Sequence, residues 1–233
     1  MIKGIIFDYG GTLDSRGVHW SEVLWQGYQR AGVPIDKETF RTAYVEGERA
    51  LARERIILPQ DNFHTLLLKK VALEINYLPE QPDQTVKDQW IAEVAAYCDK
   101  AARSCIDEAR PMLEQLAAQY PMMLVSNFYG NIDEVLREYG IRHLFKGIIE
   151  SAVVGVRKPN PTLFRLGVDA LELKPEEVLV VGDSLRKDIE PAEHLGCAVL
   201  WLKGKGWTAD EDRQTHPNTI TRVTQVPDWL SNF

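Results

Sequence analysis

A chain of 233 residues is long enough for one large domain or two small ones around a well-buried core. Its 45% hydrophobic and 26% charged residues are ordinary for a globular protein. The formal net charge of -7 repels phosphate backbones and argues against a nucleic-acid partner, while leaving room for a local basic pocket that takes a small anion. No apolar stretch approaches the length of a membrane span, so no membrane partner is expected. The opening MIKGIIFDYGG has too short an apolar run and no small-residue cleavage site for a secretory leader. Cys98, Cys105 and Cys197 form no CxxC pair and no zinc spacing, which suits reduced thiols and a cytoplasmic location.

Residues 2–7 (IKGIIF) are a short apolar run that ends at a carboxylate and two glycines, the pattern of a buried strand and a turn. From 20 to 103 no strand is evident; instead, helical apolar spacing covers 20–31, 36–55, 61–76 and about 84–103. Val23, Leu24 and Tyr28 share one stripe, and Trp90, Val94 and Tyr97 another. Gly32-Val33-Pro34, Pro59 and Pro79 to Pro82 separate these helices. Strand-like runs then recur at 121–126, 147–151, 178–181 and 197–202. Helices at 131–139, 160–171 and 188–195 lie between them, with Asn131 as N-cap, Pro161 in a first turn, and Gly140 and Gly196 as stops. The polar, Gly-rich stretch 203–218 reads as surface loop, and 219–233 as a short strand and a last helix.

Strands alternating with helices predict an α/β fold with a doubly wound parallel sheet, whose strands are uniformly apolar because both faces are covered. The expected division is an α/β core from 1–15 and 106–233, with an all-helical insertion over 16–105 as a cap. Ligands of such sheets bind beyond the carboxyl ends of the strands. There the chain places Asp8, then Ser126-Asn127, then Gly182-Asp183-Ser184 with Asp188 close behind, and Lys158 after another strand. FDYGGTL, LVSN, GVRKPNPTLF and GDSLRKDI resemble, in order, the four motifs of the haloacid dehalogenase superfamily. They span residues 2 to about 202, and the helical segment between the first two resembles the family's C1-type cap.

That resemblance implies a Rossmann-like core and a phosphatase acting on a small phosphorylated metabolite. Asp8 would attack phosphorus to form an aspartyl-phosphate. Mg²⁺, held by Asp8, the Gly10 carbonyl and Asp183, would offset the repulsion between two anions. Lys158 would add a second positive charge and Ser126 a hydroxyl donor. Gly10, Gly11, Thr12 and Asn127 would help cradle the phosphate, and Asp188 would orient ligands from behind.

One departure bears on turnover. The family's phosphatases carry a second Asp two positions after the nucleophile as general acid and base, a role worth roughly 10²–10⁴ in rate. Here the residue is Gly10. The residues admit a slowed phosphatase, or one with an acid/base from the cap among His19, Glu22, Glu46 and Glu48. They also admit a hydrolase of acyl phosphates or phosphonates whose leaving group needs no proton, and a phosphate-binding regulatory protein. The phosphonate branch uses a cap lysine about forty residues past the nucleophile, where VEGERALARER holds only arginines, which cannot form an imine. Asp183 and Asp188 argue against the metal-free dehalogenases. Arg16, His19 and Trp20 are the expected substrate contacts, with Trp25, Arg49, Arg53 and Arg55 as further cap candidates.

Overall fold

The computed structural model describes residues 1–232. Strand β1 (Gly4–Phe7) is followed by four helices, α1 (Trp20–Arg30), α2 (Lys37–Arg53), α3 (Phe63–Asn76) and α4 (Gln84–Ala117). The chain continues through β2 (Met122–Ser126), α5 (Ile132–Glu138), β3 (Gly147–Glu150), α6 (Ser151–Val154) and α7 (Thr162–Leu171). It ends with β4 (Val178–Gly182), α8 (Glu190–His194), β5 (Ala198–Leu202), α9 (Ala209–Arg213), β6 (Thr219–Ile220) and α10 (Val226–Ser231). The six strands pair in the order β3-β2-β1-β4-β5-β6, and every pairing is parallel.

Side chains alternate across the sheet, as the two-residue period of a strand requires. Ile5, Phe7, Leu124 and Val181 join the core beneath α4 and α5. Ile6, Met123, Val125 and Val180 join a second core with Leu163, Phe164 and Val168 of α7. Each fully buried aliphatic chain contributes about 1.5–3 kcal/mol of transfer free energy, so neither face can be left open. Strand order reverses direction at β1, and the crevice between the ends of β1 and β4 is where such a sheet binds ligands.

Three expectations change. The helix expected to stop near 103 runs on to Ala117 as α4, so the division placed between 105 and 106 falls inside one unbroken helix. Its buried stripe of Cys98, Ala102, Cys105, Ile106, Ala109, Leu113 and Leu116 continues at helical spacing and carries the helix past Pro111. The loop expected over 203–218 contains α9, capped by Thr208, whose side chain accepts from the Glu211 N–H. The helix expected from 188 instead begins as a π turn over Leu185–Ile189, a wider turn that continues into α8. The N-cap at Asn131 holds by position only: its side chain makes no cap bond, and Nδ2 donates to the Asp61 carbonyl at 2.8 Å.

Candidate active site

Four chain segments converge on Asp8, which is 4% exposed at the end of β1. Its Oδ1 accepts from Ser126 Oγ at 2.8 Å and pairs with Lys158 Nζ at 2.7 Å. Its Oδ2 receives only a long contact of 3.4 Å from Thr12 Oγ1. Thr12 Oγ1 also donates to Asp183 Oδ1 at 3.1 Å, tying the loop after β1 to the loop after β4. Lys158 Nζ bridges onward to Asp188 Oδ1 at 2.6 Å, while Asp188 Oδ2 accepts from the Ser184 N–H at 3.0 Å.

Asp8, Asp183 and Asp188 offer carboxylate oxygens that all lie within 4.8 Å of one another. Burial raises the Asp183 carboxyl, and repulsion from Asp188 and Asp8 raises it further. Burial also raises Asp188, with Lys158 opposing. Burial alone would pull the Lys158 ammonium down, but Asp188 and Asp8 outweigh it and hold the group charged. Three carboxylates against one ammonium leave an excess of negative charge, and an oxygen-rich crowd of this kind fits a hard divalent cation such as Mg²⁺. Gly11 makes the crowding possible: its φ is +98°, and a Cβ there would lie 2.4 Å from Asp183 Oδ2. Gly10 is different, because a Cβ there would meet nothing within 4 Å. A side chain is absent at position 10 although there is space for one.

The expected residues divide into those brought together and those held apart. Asp8, Thr12, Ser126, Lys158, Asp183 and Asp188 form one bonded cluster. Gly10, Gly11, His19 and Trp20 border the cleft of about 1590 Å³ that opens over it, as do Glu48, Arg49, Arg53 and Arg55 of the helical region. Asn127 borders the cleft, and its side chain holds the lysine backbone: Oδ1 accepts from the Lys158 N–H at 2.9 Å, and Nδ2 donates to the Lys158 carbonyl at 3.1 Å. Both ends of its amide hold the lysine, which leaves the second Nδ2 hydrogen and the backbone N–H as donors for an anion. Arg16 does not meet the expectation of a substrate contact. It lies outside the cleft lining, with Nε on Glu108 Oε2 at 2.7 Å and Nη2 on Ser104 Oγ at 3.3 Å. Glu22 pairs with Lys37 and Glu46 with Arg49, both away from the lining, and Trp25 packs on Phe40.

Four neighbours escaped the sequence reading. Asp14, 1% exposed, accepts from the Gly11 N–H at 2.7 Å and from Trp20 Nε1 at 2.9 Å, fixing the loop after β1. Burial is the main cause that pushes its carboxyl up to about 8. Lys70 of α3, 4% exposed, borders the cleft, pairs with Glu48, and lies 4.7 Å from the Tyr44 ring centroid. Tyr129, three residues after Ser126, donates to Glu48 Oε1 at 2.9 Å. Trp207, from the polar loop, stacks near His19 and Tyr44 with ring centroids at 5.3 and 5.6 Å. The available signals were a lysine on an apolar helix and a lone tryptophan in a Gly-rich loop.

Comparison with known proteins agrees with this fold. A family model described as haloacid dehalogenase-like hydrolase matches residues 2–196. Glyceraldehyde 3-phosphate phosphatase of Methanocaldococcus jannaschii is 37% identical over 101 residues, 43% of this chain and 44% of that protein. That match therefore spans less than half of the relative. A phosphoglycolate phosphatase of Yersinia pseudotuberculosis is 26% identical over 94% of this chain and 88% of its own. (S)-2-haloacid dehalogenase 2 of a Pseudomonas species is 24% identical over 99% and 96%. Among solved structures, a dehalogenase aligns with a TM-score of 0.65 at 14% identity, covering 98% of this chain and 96% of its own. A magnesium-bound hydrolase of Bacillus subtilis aligns at 0.58 and 19% identity, covering 99% of both chains. At these identities the structural likeness speaks for the fold, and the family match extends over the segments that hold Asp8, Ser126, Lys158 and Asp183. The chain belongs to the haloacid dehalogenase-like hydrolases.

Proposed function

We propose that the protein is a Mg²⁺-dependent phosphatase of a small phosphorylated metabolite, working through an aspartyl-phosphate on Asp8, with hydrolysis of ordinary alkyl esters slowed by Gly10. The observation that carries the reading is the Asp8 carboxylate itself. Two strong donors, Ser126 and Lys158, hold Oδ1, and Oδ2 has only the 3.4 Å contact with Thr12. Such an oxygen is positioned and comparatively unencumbered, as a nucleophile must be. Asp8, Asp183 and the Gly10 carbonyl would hold Mg²⁺, which when bound supplies positive charge against the phosphate oxygens and the attacking carboxylate. Lys158 contributes its own charge on the same side, and Asp188 keeps that ammonium in place. Ser126 and the backbone N–H groups after β1 and β2 bind the transferring group. The division into a core of 1–15 and 106–233 and a cap of 16–105 is part of this proposal, with the cap helices supplying the cleft wall over the phosphate.

The test is turnover of p-nitrophenyl phosphate and of alkyl phosphates, with Mg²⁺ and with chelator. Activity should require Mg²⁺ and vanish in Asp8→Asn. Gly10→Asp fits the open space above residue 10 and should raise alkyl phosphate turnover, by up to about 10²–10⁴. Tight Mg²⁺-dependent binding of inorganic phosphate with no turnover in either the native protein or Gly10→Asp would favour a phosphate-binding regulatory role instead.

A further inference from the structure

We infer that His19 is a neutral hydrogen-bond donor of fixed tautomer facing the leaving group, and that the natural substrate carries its phosphate on an acidic oxygen that departs as an anion: an acyl, enol or aryl phosphate. The inference rests on the phosphatase reading above.

The tautomer follows from the cap of α1. His19 is the N-cap, and its Nδ1 accepts from the Ser21 backbone N–H at 3.2 Å, with the Ser21 hydroxyl 2.8 Å away. A backbone N–H can only donate, so Nδ1 must be unprotonated. The one proton of the neutral ring then sits on Nε2. The ring stays neutral because burial disfavours its cation; Lys187, Lys70 and Arg41 add to this and bring it down to about 4. Trp207 and Tyr44 flank the imidazole, with centroids at 5.3 and 6.2 Å. Among the described residues, Nε2 has no hydrogen-bond partner, and the residue borders the same cleft as Asp8. The loop returns His19 to that site: the Gly17 N–H donates to the Gly11 carbonyl at 2.6 Å, and the His19 N–H to the Lys205 carbonyl at 2.8 Å.

A group in this state has a narrow repertoire. It cannot act as a base at Nε2, which already holds the proton. Its N–H is a far weaker acid than an imidazolium or a carboxylic acid, so it gives a departing alkoxide little general-acid help. It can hold a developing oxyanion by a hydrogen bond. Position 10 is glycine, and of the carboxylates that border the cleft Glu48 is held by Lys70 and by the Tyr129 hydroxyl, Asp210 by Arg213 and Glu211 by the Trp207 N–H. The first step therefore runs without a proton. An Asp8 oxygen bonds to phosphorus, the bond to the leaving oxygen breaks, and both electrons leave with a carboxylate, enolate or phenolate that Nε2–H stabilises. In the second step water attacks phosphorus, the bond to Asp8 breaks, and both water protons remain on the released phosphate.

The experiment is a leaving-group series with Mg²⁺: acetyl, p-nitrophenyl, phenyl and glycerol phosphates. The native protein, His19→Ala, His19→Gln and Asp8→Asn are compared. For the native protein, kcat/KM should fall by about 10³ or more from the acidic leaving groups to glycerol phosphate. His19→Ala should lose about 10–10² on phenyl phosphate and clearly less on acetyl phosphate. His19→Gln keeps an N–H donor and should recover part of that loss, which also covers the case in which the alanine variant folds poorly. Native kcat should show no descending limb between pH 6 and 8 of the kind a protonated histidine acid would give. Glycerol phosphate turned over as fast as p-nitrophenyl phosphate would overturn the inference while leaving the phosphatase reading intact. An equal loss on every leaving group in His19→Ala would do the same. No Mg²⁺-dependent turnover of any probe, or turnover that survives Asp8→Asn, would sink both.

Discussion

Lys158 carries more of the site than any other single residue. Its ammonium is buried between Asp8 and Asp188 at 2.7 and 2.6 Å, and Asn127 clasps its backbone on both sides. Removing one member of a buried ion pair costs about 3–5 kcal/mol, because the remaining charges lose their partner in a poorly solvated place. Lys158→Met should therefore destabilise the protein by about that amount in urea melts at neutral pH. Mg²⁺ should restore part of the loss, since a ligand that binds only the folded state stabilises it. The stabilisation by Mg²⁺ should be larger in Lys158→Met than in the native protein, where the lysine already offsets part of the carboxylate charge. Equal melts with and without Mg²⁺ in both proteins would argue that Asp8, Asp183 and Asp188 do not hold the cation. Arginine is a poor substitute here: its planar fork does not fit a site shaped for a compact ammonium.

At the level of elements, the loop after β5 joins the sheet to the helical insertion. Trp207 lies under the Arg41 guanidinium of α2 at 4.5 Å from its ring centroid, and Arg41 Nη2 donates to the Trp207 carbonyl at 2.5 Å. The same ring packs on Tyr44 and His19, so one residue of the loop touches α2 and the N-cap of α1. Trp207→Ala removes the ring but leaves the carbonyl for Arg41. The stability loss should be modest, about 0.5–1 kcal/mol for the cation–π contact plus lost packing. The kinetic effect should be larger: KM on phenyl phosphate should rise several-fold with kcat changed less, and Trp207→Phe should stay near native. An unchanged KM in Trp207→Ala would place the ring outside the substrate's path. This contact also marks a limit of sequence reading. The strand-end residues Asp8, Ser126 and Asp183 could be located because each follows an apolar run directly, and strand and helix periods were legible along the chain. Asp14, Lys70, Tyr129 and Trp207 were not, because their meaning comes from partners on other elements. Lys70 reaches a tyrosine 59 residues away, and Arg41 meets a loop 166 residues on. Nor did the pattern reveal that α4 runs through the expected boundary, because its buried stripe there is made largely of small residues such as Ala102, Cys105 and Ala109.

For the molecule as a whole, stability depends on pH through several shifted groups around the site, Asp183 and Asp188 among them, and two near the loop after β1, Asp14 and His19, carry opposite signs. Asp14 is raised from 3.8 to about 8, mainly by burial, so the folded state holds its proton where the unfolded chain has lost it. Its contribution is fully present at low pH, declines as the pH climbs above the unfolded value, and is gone above about 8. His19 is lowered from 6.5 to about 4, again mainly by burial, so the unfolded chain binds the proton first as the pH falls. Its contribution is present above 6.5 and is lost as the pH drops through about 4. Between 4 and 6.5 the two slopes oppose each other, and between 6.5 and 8 Asp14 acts without that opposition. Thermal melts should therefore show Tm changing little at these sites from pH 5 to 6.5 and falling from 6.5 to 8. Asp14→Asn, which cannot ionise, should flatten the fall above 6.5, whatever it costs at the Gly11 and Trp20 hydrogen bonds. His19→Gln should remove the opposing slope and make Tm decline steadily from pH 5 upward. If Asp14→Asn leaves the alkaline fall as steep as in the native protein, Asp14 is already ionised in the fold and its two N–H donors outweigh its burial. The two variants together thus read the protonation of the loop that carries Asp8 without any substrate present.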